Sequence, residues 1–490
     1  MITIRTNQSG FEYDIHSLVK SFYPAMDVAF EGEKKFLEEP PLFHIEIIFS
    51  DKEVEAAFYH VMGQENSFLN RTIEIDSSDR KETKNRLKRI LYEMLQEHTN
   101  KVLPWGTLSG IRPIKIPLKM IEEGQPEKEI MQYMKDTYYC SDEKIKLSMQ
   151  IAKREHALLS RLDYENGYSL YIGIPFCPST CLYCSFTSYP LGMWKDKVDL
   201  YLEALEKEID FTAVKFAKKK LNTIYIGGGT PTTLTSAQLD RLIRKIKCSF
   251  DLSYLLEFTV EAGRPDSITK EKLEVLKRHA VSRISINPQT MQDETLKVLG
   301  RNHTVQAIKD TYHLAREIGF DNINMDLIMG LPGEDILDVR ATLEEIKLLN
   351  PDNLTVHSLA LKRAARLNMF KDEYKDYKME NTKEHIEAAD EAAVYLDMTP
   401  YYLYRQKNMA GNLENVGYAK EGKAGIYNIL IMEEKQTIMA LGAGASTKFV
   451  FDHTTRTERA ENVKDVAIYI DRIDEMIKRK QDKMEEISWH

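Results

Sequence analysis

Six apolar, β-rich runs stand between residues 168 and 361, separated from one another by stretches of helical periodicity. The runs are SLYIGIPF, NTIYIGGG, LEFTVEA, SRISINP, NINMDLIMG and NLTVHSLAL; SAQLDRLIRKIKCSF and TVQAIKDTYHLAREIG are two of the intervening stretches. Strands that are apolar on both faces and joined by helices belong to a parallel sheet. Parallel neighbours need right-handed crossovers, so six such units indicate a β/α barrel or partial barrel. In a barrel of this kind the chemistry sits at the C-terminal ends of the strands.

The end of the first run carries such chemistry. YIGIPFCPSTCLYCSF places Cys177, Cys181 and Cys184 in a C-x3-C-x2-C spacing. Thiolates are soft ligands that suit iron–sulfur clusters or zinc. A structural zinc site takes four ligands, usually from two paired elements, and no fourth Cys or His lies nearby. A cubane normally has four cysteines, so three leave one iron open to a substrate. The chain has five cysteines. Three falling within eight residues is not the pattern of scattered core thiols. Cys140 and Cys248 stand alone and read as small buried hydrophobes.

Further candidates follow later runs. Gly227-Gly228-Gly229-Thr230 ends the second, where backbone without side chains lets a ligand approach closely and offers free N–H and C=O groups. Alone, a glycine triplet is equally a tight strand-to-helix turn. Glu261 ends the third run and Gln289 follows the fourth, with Arg301 twelve residues on. Asp326 lies inside an apolar run, where a carboxylate is costly to bury unless paired. Its alternative is a structural ion pair.

Around the barrel the texture differs. Residues 1–165 read as an α+β domain: MITIRTN, FHIEIIFSD, EVEAAFYHVM and NRTIEID as strands, then a helix from about Ser78, capped by Ser78 or Asp79. LPWGTLSGIRPIKI reads as loop and residues 126–162 as helix. This region carries no recognisable chemistry and reads as docking or scaffolding. Residues 166–362 hold the barrel. Residues 363–490 read as an α+β region on the substrate side: a helix, then a β segment KAGIYNILIMEEKQTIMALGAGASTKFVFD, then a helix with Val463, Val466, Ile470, Ile473 and Ile477 on one face.

The net charge of −9, from 67 basic and 76 acidic residues, argues against broad phosphate-driven nucleic-acid binding. The first residues lack a basic-then-apolar leader, and no run approaches the ~18 apolar residues of a membrane span. The expectation is a cytoplasmic, reduced protein.

C-x3-C-x2-C after the first barrel strand resembles the radical S-adenosylmethionine (SAM) superfamily. YIGIPFC, GGGTPT and DLIMGLPG narrow the likeness to the oxygen-independent coproporphyrinogen III oxidase (dehydrogenase) family, and the long N-terminal region with LPWGTLSGIRP resembles its HemZ-type branch. The resemblance is specific over residues 168–360 and thinner outside. It implies an α/β fold, a partial (β/α)6 barrel, holding a 4Fe–4S cluster on Cys177, Cys181 and Cys184. It also implies one SAM or two, a porphyrinogen substrate and an electron donor such as flavodoxin or ferredoxin. The implied activity is oxidative decarboxylation of coproporphyrinogen III propionates to vinyls, giving protoporphyrinogen IX. Tyr171 is implied to position the first SAM and the porphyrinogen, as the catalytic tyrosine. Tyr183 is implied to stack on adenine, and Gly228 and Glu261 to bind the first SAM. Gly229, Thr230, Gln289, Arg301, Asp326 and Ala360 are implied to line a second SAM pocket, Arg301 pairing with its carboxylate. The segment 441–446, LGAGAS, resembles one near the family's active site.

Three features depart from the family. Gly173 stands where the oxidase carries His. Phe186 stands where the oxidase has a fourth cysteine, and resembles a haem-chaperone-like branch instead. The segment 401–418 matches neither branch. A haem carrier, with His303 and His357 as candidate ligands, and a radical SAM methyltransferase are the competing readings.

Overall fold

The structure, a computed structural model, describes residues 1–24, 26–33, 41–60, 68–360, 362, 365–370, 373–374, 377–406, 413–451 and 456–486. It forms two compact units, Met1–His156 and Ala157–His490.

The first unit is α+β. Its five-stranded sheet runs in the order Val28–Phe30, Ile2–Thr6, Phe43–Phe49, Glu53–His60, Phe68–Glu74. Phe43–Phe49 alternates buried and less buried positions, as a strand covered on one face does. Helices Glu12–Phe22 and Arg80–Thr99 supply the other half of an apolar core that includes Ile2, Ile47, Phe58, Leu87 and Leu91. Asp79 rather than Ser78 caps the long helix, accepting from the Glu82 N–H. The helix Glu12–Phe22 and the strand Val28–Phe30 went unread in the sequence.

The second unit is built on one mixed sheet of eleven strands. Its six central strands are β1 (Gly167–Ile174), β2 (Lys220–Gly228), β3 (Glu257–Gly263), β4 (Arg283–Ile286), β5 (Ile323–Met329) and β6 (Asn353–Ser358). They are parallel and lie side by side in chain order. All six are apolar runs of the sequence. Between them the chain turns into helices, four of which start on side-chain caps: Thr235, Thr269, Thr304 and Asp335 each accept from backbone N–H groups. Every strand therefore points its C-terminal end the same way, and the following loops gather on one side.

The C-terminal strands extend this sheet at both edges. They are β7 (Thr399–Tyr404), β8 (Asn415–Ala419), β9 (Thr437–Leu441), β10 (Ser446–Phe451) and β11 (Arg456–Glu461). β8 pairs antiparallel with β6 and β7 with β8, while β9 pairs parallel with β1. The expected division at 362/363 therefore does not separate compact units: hydrogen-bonded ladders cross it. The first division falls at 156/157 instead of 165/166. Two further differences lie in this region. The start of the expected β segment is the helix Ile426–Glu433, a short, mostly apolar run that periodicity alone cannot assign. The closing helix is two, Val466–Asp471 and Ile473–Glu486, burying Val466, Tyr469, Ile473, Met476 and Lys480.

Lys480 pairs with Glu208 in a fully buried ion pair. Glu208 also accepts from Asn462 Nδ2 at 2.8 Å, the Gly442 N–H at 2.8 Å and the Tyr469 hydroxyl at 2.6 Å. Tyr201 holds the turn after β9 against the end of β1: its hydroxyl accepts from the Ala443 N–H at 3.1 Å and donates to the Gly173 carbonyl at 2.6 Å. At Gly442, φ is +102° and a Cβ would stand 2.5 Å from the Gly173 carbonyl oxygen, so glycine is required there.

Candidate active site

One cavity of about 360 Å³ opens at the C-terminal ends of the barrel strands, and Cys177, Cys181 and Cys184 all line it. Register explains the placement. Gly173 and Ile174 of β1 pair with Gly227 and Gly228 of β2, so the cysteine loop leaves its strand beside the glycine turn. A Cβ on Gly229 would lie 2.6 Å from the Phe176 carbonyl oxygen and 3.0 Å from Cys177 Sγ. The close approach of these two segments therefore depends on glycine.

The expected free amides are not found at Gly229 and Thr230. The Gly229 N–H bonds the Ile174 carbonyl and the Thr230 N–H the Phe176 carbonyl, each at 2.7 Å. The turn holds the cysteine loop in place.

The three thiols are unpaired with one another as disulfides. Thr230 Oγ1 donates to Cys177 Sγ at 3.5 Å. Arg264 Nη1 and Arg301 Nη1 approach Cys181 Sγ at 3.5 and 4.0 Å. Burial pushes the Cys177 thiol up to about 11, partly offset by the Thr230 bond, and raises Cys184 as well. A bound cation reverses that preference. Among the described residues no three His, Cys, Asp or Glu side chains could hold one metal ion. Thiols spread around a cavity suit a cubane, in which each thiolate takes a different iron. Soft donors, flanking N–H and O–H groups aimed at sulfur, and the glycine-dependent approach all fit a 4Fe–4S cluster.

The remaining candidates divide by position. Gly228, Gly229, Thr230, Glu261, Gln289, Arg301, Asp326, Ala360 and Tyr183 line the cavity. Tyr171 is not among its lining residues. It stands behind the wall, its hydroxyl 3.3 Å from where a Gly228 Cβ would be, in a parallel stack with Tyr225 and Tyr427. Burial raises its phenol.

Glu261 accepts from the Tyr225 hydroxyl. Burial pushes its carboxyl up to about 7, against the opposing effect of that bond. For Asp326 burial also acts upward, but hydrogen bonding from His357 and Asn324 and the charge of Arg283 hold it below the usual carboxylate range. Asn324 Nδ2 donates to it at 2.7 Å. Gln289 has φ +69°, and its N–H and C=O bridge to β5 through Asp326 and Ile328. Arg301 is committed: Nε to His303 Nε2 at 3.0 Å, Nη1 to the Tyr183 hydroxyl at 3.3 Å, Nη2 to the Asn287 carbonyl at 2.5 Å.

His357 lines the cavity and accepts or donates at 3.2 Å to the Tyr404 hydroxyl. His303 is not among the lining residues, and burial drives its imidazole down to about 4. Phe186 is 73% exposed at the cavity rim. Cys140 is buried but Cys248 is exposed, contrary to its reading as a core hydrophobe. Within the unmatched segment 401–418, residues 407–412 lie outside the described residues.

Sequence reasoning missed Tyr225, Arg264, Arg283, Ser285 and Asn287 as lining residues. A signal existed for the last three. Arg283, Ser285 and Asn287 alternate with Ile284 and Ile286, a period of two that puts one face of β4 toward the lumen.

Comparisons with known proteins agree with this geometry. Residues 171–346 match the model of the Radical SAM superfamily. The oxygen-independent coproporphyrinogen-III oxidase-like protein HemZ of Bacillus subtilis (strain 168) is 39% identical over 483 residues, 96% of this chain and 95% of that one. The heme chaperone HemW of B. subtilis is 42% identical over 195 residues, covering 39% of this chain and 50% of HemW. The oxygen-independent coproporphyrinogen III oxidase of Escherichia coli (strain K12) is 35% identical over 196 residues, 40% of this chain and 42% of that one. The solved structure of coproporphyrinogen III oxidase (HemN) from E. coli superposes with a TM-score of 0.51 at 24% identity, over 66% of this chain and 73% of its own.

A parallel barrel with three thiols after its first strand defines a radical SAM protein, the class that carries a 4Fe–4S cluster and SAM. Within that class the chain belongs to the HemZ-type branch of the oxygen-independent coproporphyrinogen III oxidase-like family. No helix among the described residues is long and apolar enough to cross a membrane.

Proposed function

We propose that this chain is a radical SAM oxidoreductase that decarboxylates the propionates of coproporphyrinogen III to vinyl groups. The observation that carries the reading is the make-up of one cavity. The three thiols share it with Arg283, Arg301 and Lys362, and with Arg264, whose charge Asp266 balances, against two carboxylates, Glu261 and Asp326. On a chain of net charge −9, that local excess suits a substrate carrying several carboxylates.

Cys177, Cys181 and Cys184 hold the cluster in this reading. When bound, the cluster and SAM supply one-electron cleavage of SAM, and with it a radical able to abstract hydrogen from unactivated carbon. The chain's own residues do the rest. Glu261 accepts from the SAM ammonium or ribose, with Tyr225 fixing its orientation. Gly228 leaves room for the methionine backbone. Asp326, kept ionised by Asn324 and His357, accepts hydroxyls of a second ligand alongside Gln289 and Ala360. Tyr171 acts from behind the wall by supporting the Gly228 turn. At the substrate, one β-hydrogen leaves the propionate as an atom. The carboxylate then departs as CO2, and one electron passes to an external acceptor, leaving the vinyl. An electron donor of the flavodoxin or ferredoxin kind reduces the cluster.

A second reading is a haem-binding chaperone. The likeness to HemW over the barrel and the exposed Phe186 at the position of the fourth cysteine favour it. One experiment separates the two. The protein is reconstituted anaerobically with iron and sulfide, then given SAM, dithionite and coproporphyrinogen III, and the products are read by mass spectrometry. The oxidoreductase yields 5′-deoxyadenosine and protoporphyrinogen IX, both absent from Cys181→Ser. Deoxyadenosine without porphyrinogen turnover points to another substrate; neither product, together with tight haem binding, supports the chaperone.

A further inference from the structure

Arg264 follows directly on β3, and its side chain is only 4% exposed. Gly263 turns the chain there with φ +67°, and Pro265 keeps Arg264 in an extended backbone conformation. From that turn the guanidinium reaches the cysteine loop. Nη1 donates to the Ser179 carbonyl at 3.1 Å, to the Ser179 hydroxyl oxygen at 2.9 Å and to Cys181 Sγ at 3.5 Å. Its other edge, Nε and Nη2, is clamped by the two oxygens of Asp266 at 3.0 and 2.6 Å. Ser179 is fixed in turn, its hydroxyl donating to the Gly300 carbonyl at 2.9 Å. Asp266 and Ser179, rather than the thiol itself, therefore set the place of the guanidinium beside Cys181.

Cys177 and Cys181 are served differently. Cys177 takes a neutral donor, Thr230 Oγ1. Cys181 faces guanidinium groups, Arg264 and, at 4.0 Å, Arg301 Nη1. Arg264 carries a bound carboxylate, so it brings an N–H donor with much of its charge offset. Hydrogen bonds to the sulfurs and the net charge around a cluster help to set its reduction potential. An added electron spreads onto the sulfur ligands. An N–H aimed at sulfur, or a positive charge beside it, stabilises that reduced state more than the oxidised one.

We propose that Arg264 and Asp266 form a pair that sets the reduction potential of the cluster through Cys181: Arg264 raises it and Asp266 limits the rise. Both are positioning residues that act through a ligand. The cluster takes one electron from its donor, and no bond to either side chain forms or breaks. A raised potential eases reduction by the donor and leaves less driving force for passing the electron on to SAM, so the pair balances the two transfers. The inference rests on the radical SAM class alone and holds whether or not coproporphyrinogen III is the substrate.

A redox titration followed by electron paramagnetic resonance tests this on the anaerobically reconstituted full-length protein, without SAM or porphyrinogen. Iron content is measured on the same samples. Arg264→Met should lower the midpoint by at least tenfold in the reduction equilibrium, about 59 mV for one electron. Asp266→Asn leaves the guanidinium charge unopposed and should raise the midpoint. A role confined to holding the loop would change iron content or unfolding without moving the two midpoints in opposite directions.

Variants with full iron content and wild-type midpoints, or with both midpoints shifted the same way, overturn the proposal. If Arg264→Met fails to fold or to take up iron, Asp266→Asn decides alone: a raised midpoint upholds the proposal, and an unchanged or lowered one overturns it. These shifts in a protein that does not turn over coproporphyrinogen III uphold the inference and remove only the proposed substrate.

Discussion

Both units of this protein are sheets with a covered face, but the covered faces differ in kind. In Met1–His156 the sheet and the helix Arg80–Thr99 share an interior of Ile, Leu, Val and Phe, with Asp79 closing the helix end. In the barrel the helices pack on apolar outer faces, while the inner faces of β3 to β6 carry Glu261, Arg283, Ser285, Asn324, Asp326, Thr355 and His357. An apolar interior is finished when it is packed. A polar interior with unmet donors and acceptors is finished only by what binds there. The first unit spends its burial on stability, and the second holds part of its interior open for ligands.

The sharpest break in this comparison comes from the thiols. Cys177→Ser should abolish SAM cleavage to background, measured as 5′-deoxyadenosine, with little change in thermal unfolding of the cluster-free protein.

Lys480→Met strikes a fully closed ion pair of the barrel unit. It leaves Glu208 buried and uncompensated, and should cost roughly 3–5 kcal/mol in denaturant unfolding. Glu208→Gln added to it should recover part of the loss. A double variant no better than the single would contradict the pairing.

Ile47→Ala, in a fully buried site of the first unit, should cost about 2–4 kcal/mol while SAM affinity stays at the wild-type value. A loss of SAM affinity in a still-folded variant would blur the division between the units.

Glu261 gives a pH test. Its carboxyl titrates at about 7 in the fold, above the unfolded value of 4.5, so the fold favours its neutral form. The stability it lends is present below the unfolded value and lost as pH rises through about 7. Binding of the SAM ammonium needs the anion, so SAM affinity should rise through that window. Tyr225→Phe removes a bond that favours the anion and should move the midpoint upward. A pH-independent affinity would remove Glu261 from the SAM site.

The smallest effect belongs to the first unit's surface: Asp79→Ala should cost about 1 kcal/mol of unfolding free energy, with no functional consequence.

The barrel was legible because its strands are buried on both faces and read as unbroken apolar runs between capped helices. The cysteine spacing was legible for a different reason: three soft ligands in one loop have few other uses. What escaped has physical causes. Ile426–Glu433 is mostly apolar, with Asn428 the one polar residue before Glu433, so it passed for strand. β9 pairs with β1 across more than 260 residues, and no local pattern announces such a partner. Arg283 sits at the start of β4, not at its end, and only the three-dimensional wall reveals that it lines the cavity. The glycine triplet was found, but the Gly229 amide, with that of Thr230, turned out to bind the segment that carries the first cysteine.

The central claim is that three thiols in one barrel cavity hold a cluster with an open iron. Electron paramagnetic resonance of the reconstituted, dithionite-reduced protein, recorded with and without SAM, tests it most directly. The account predicts about four irons per chain and a reduced-cluster signal whose g-values shift when SAM is added, both lost in Cys184→Ser. A cluster signal indifferent to SAM, or one that survives Cys184→Ser unchanged, would contradict it.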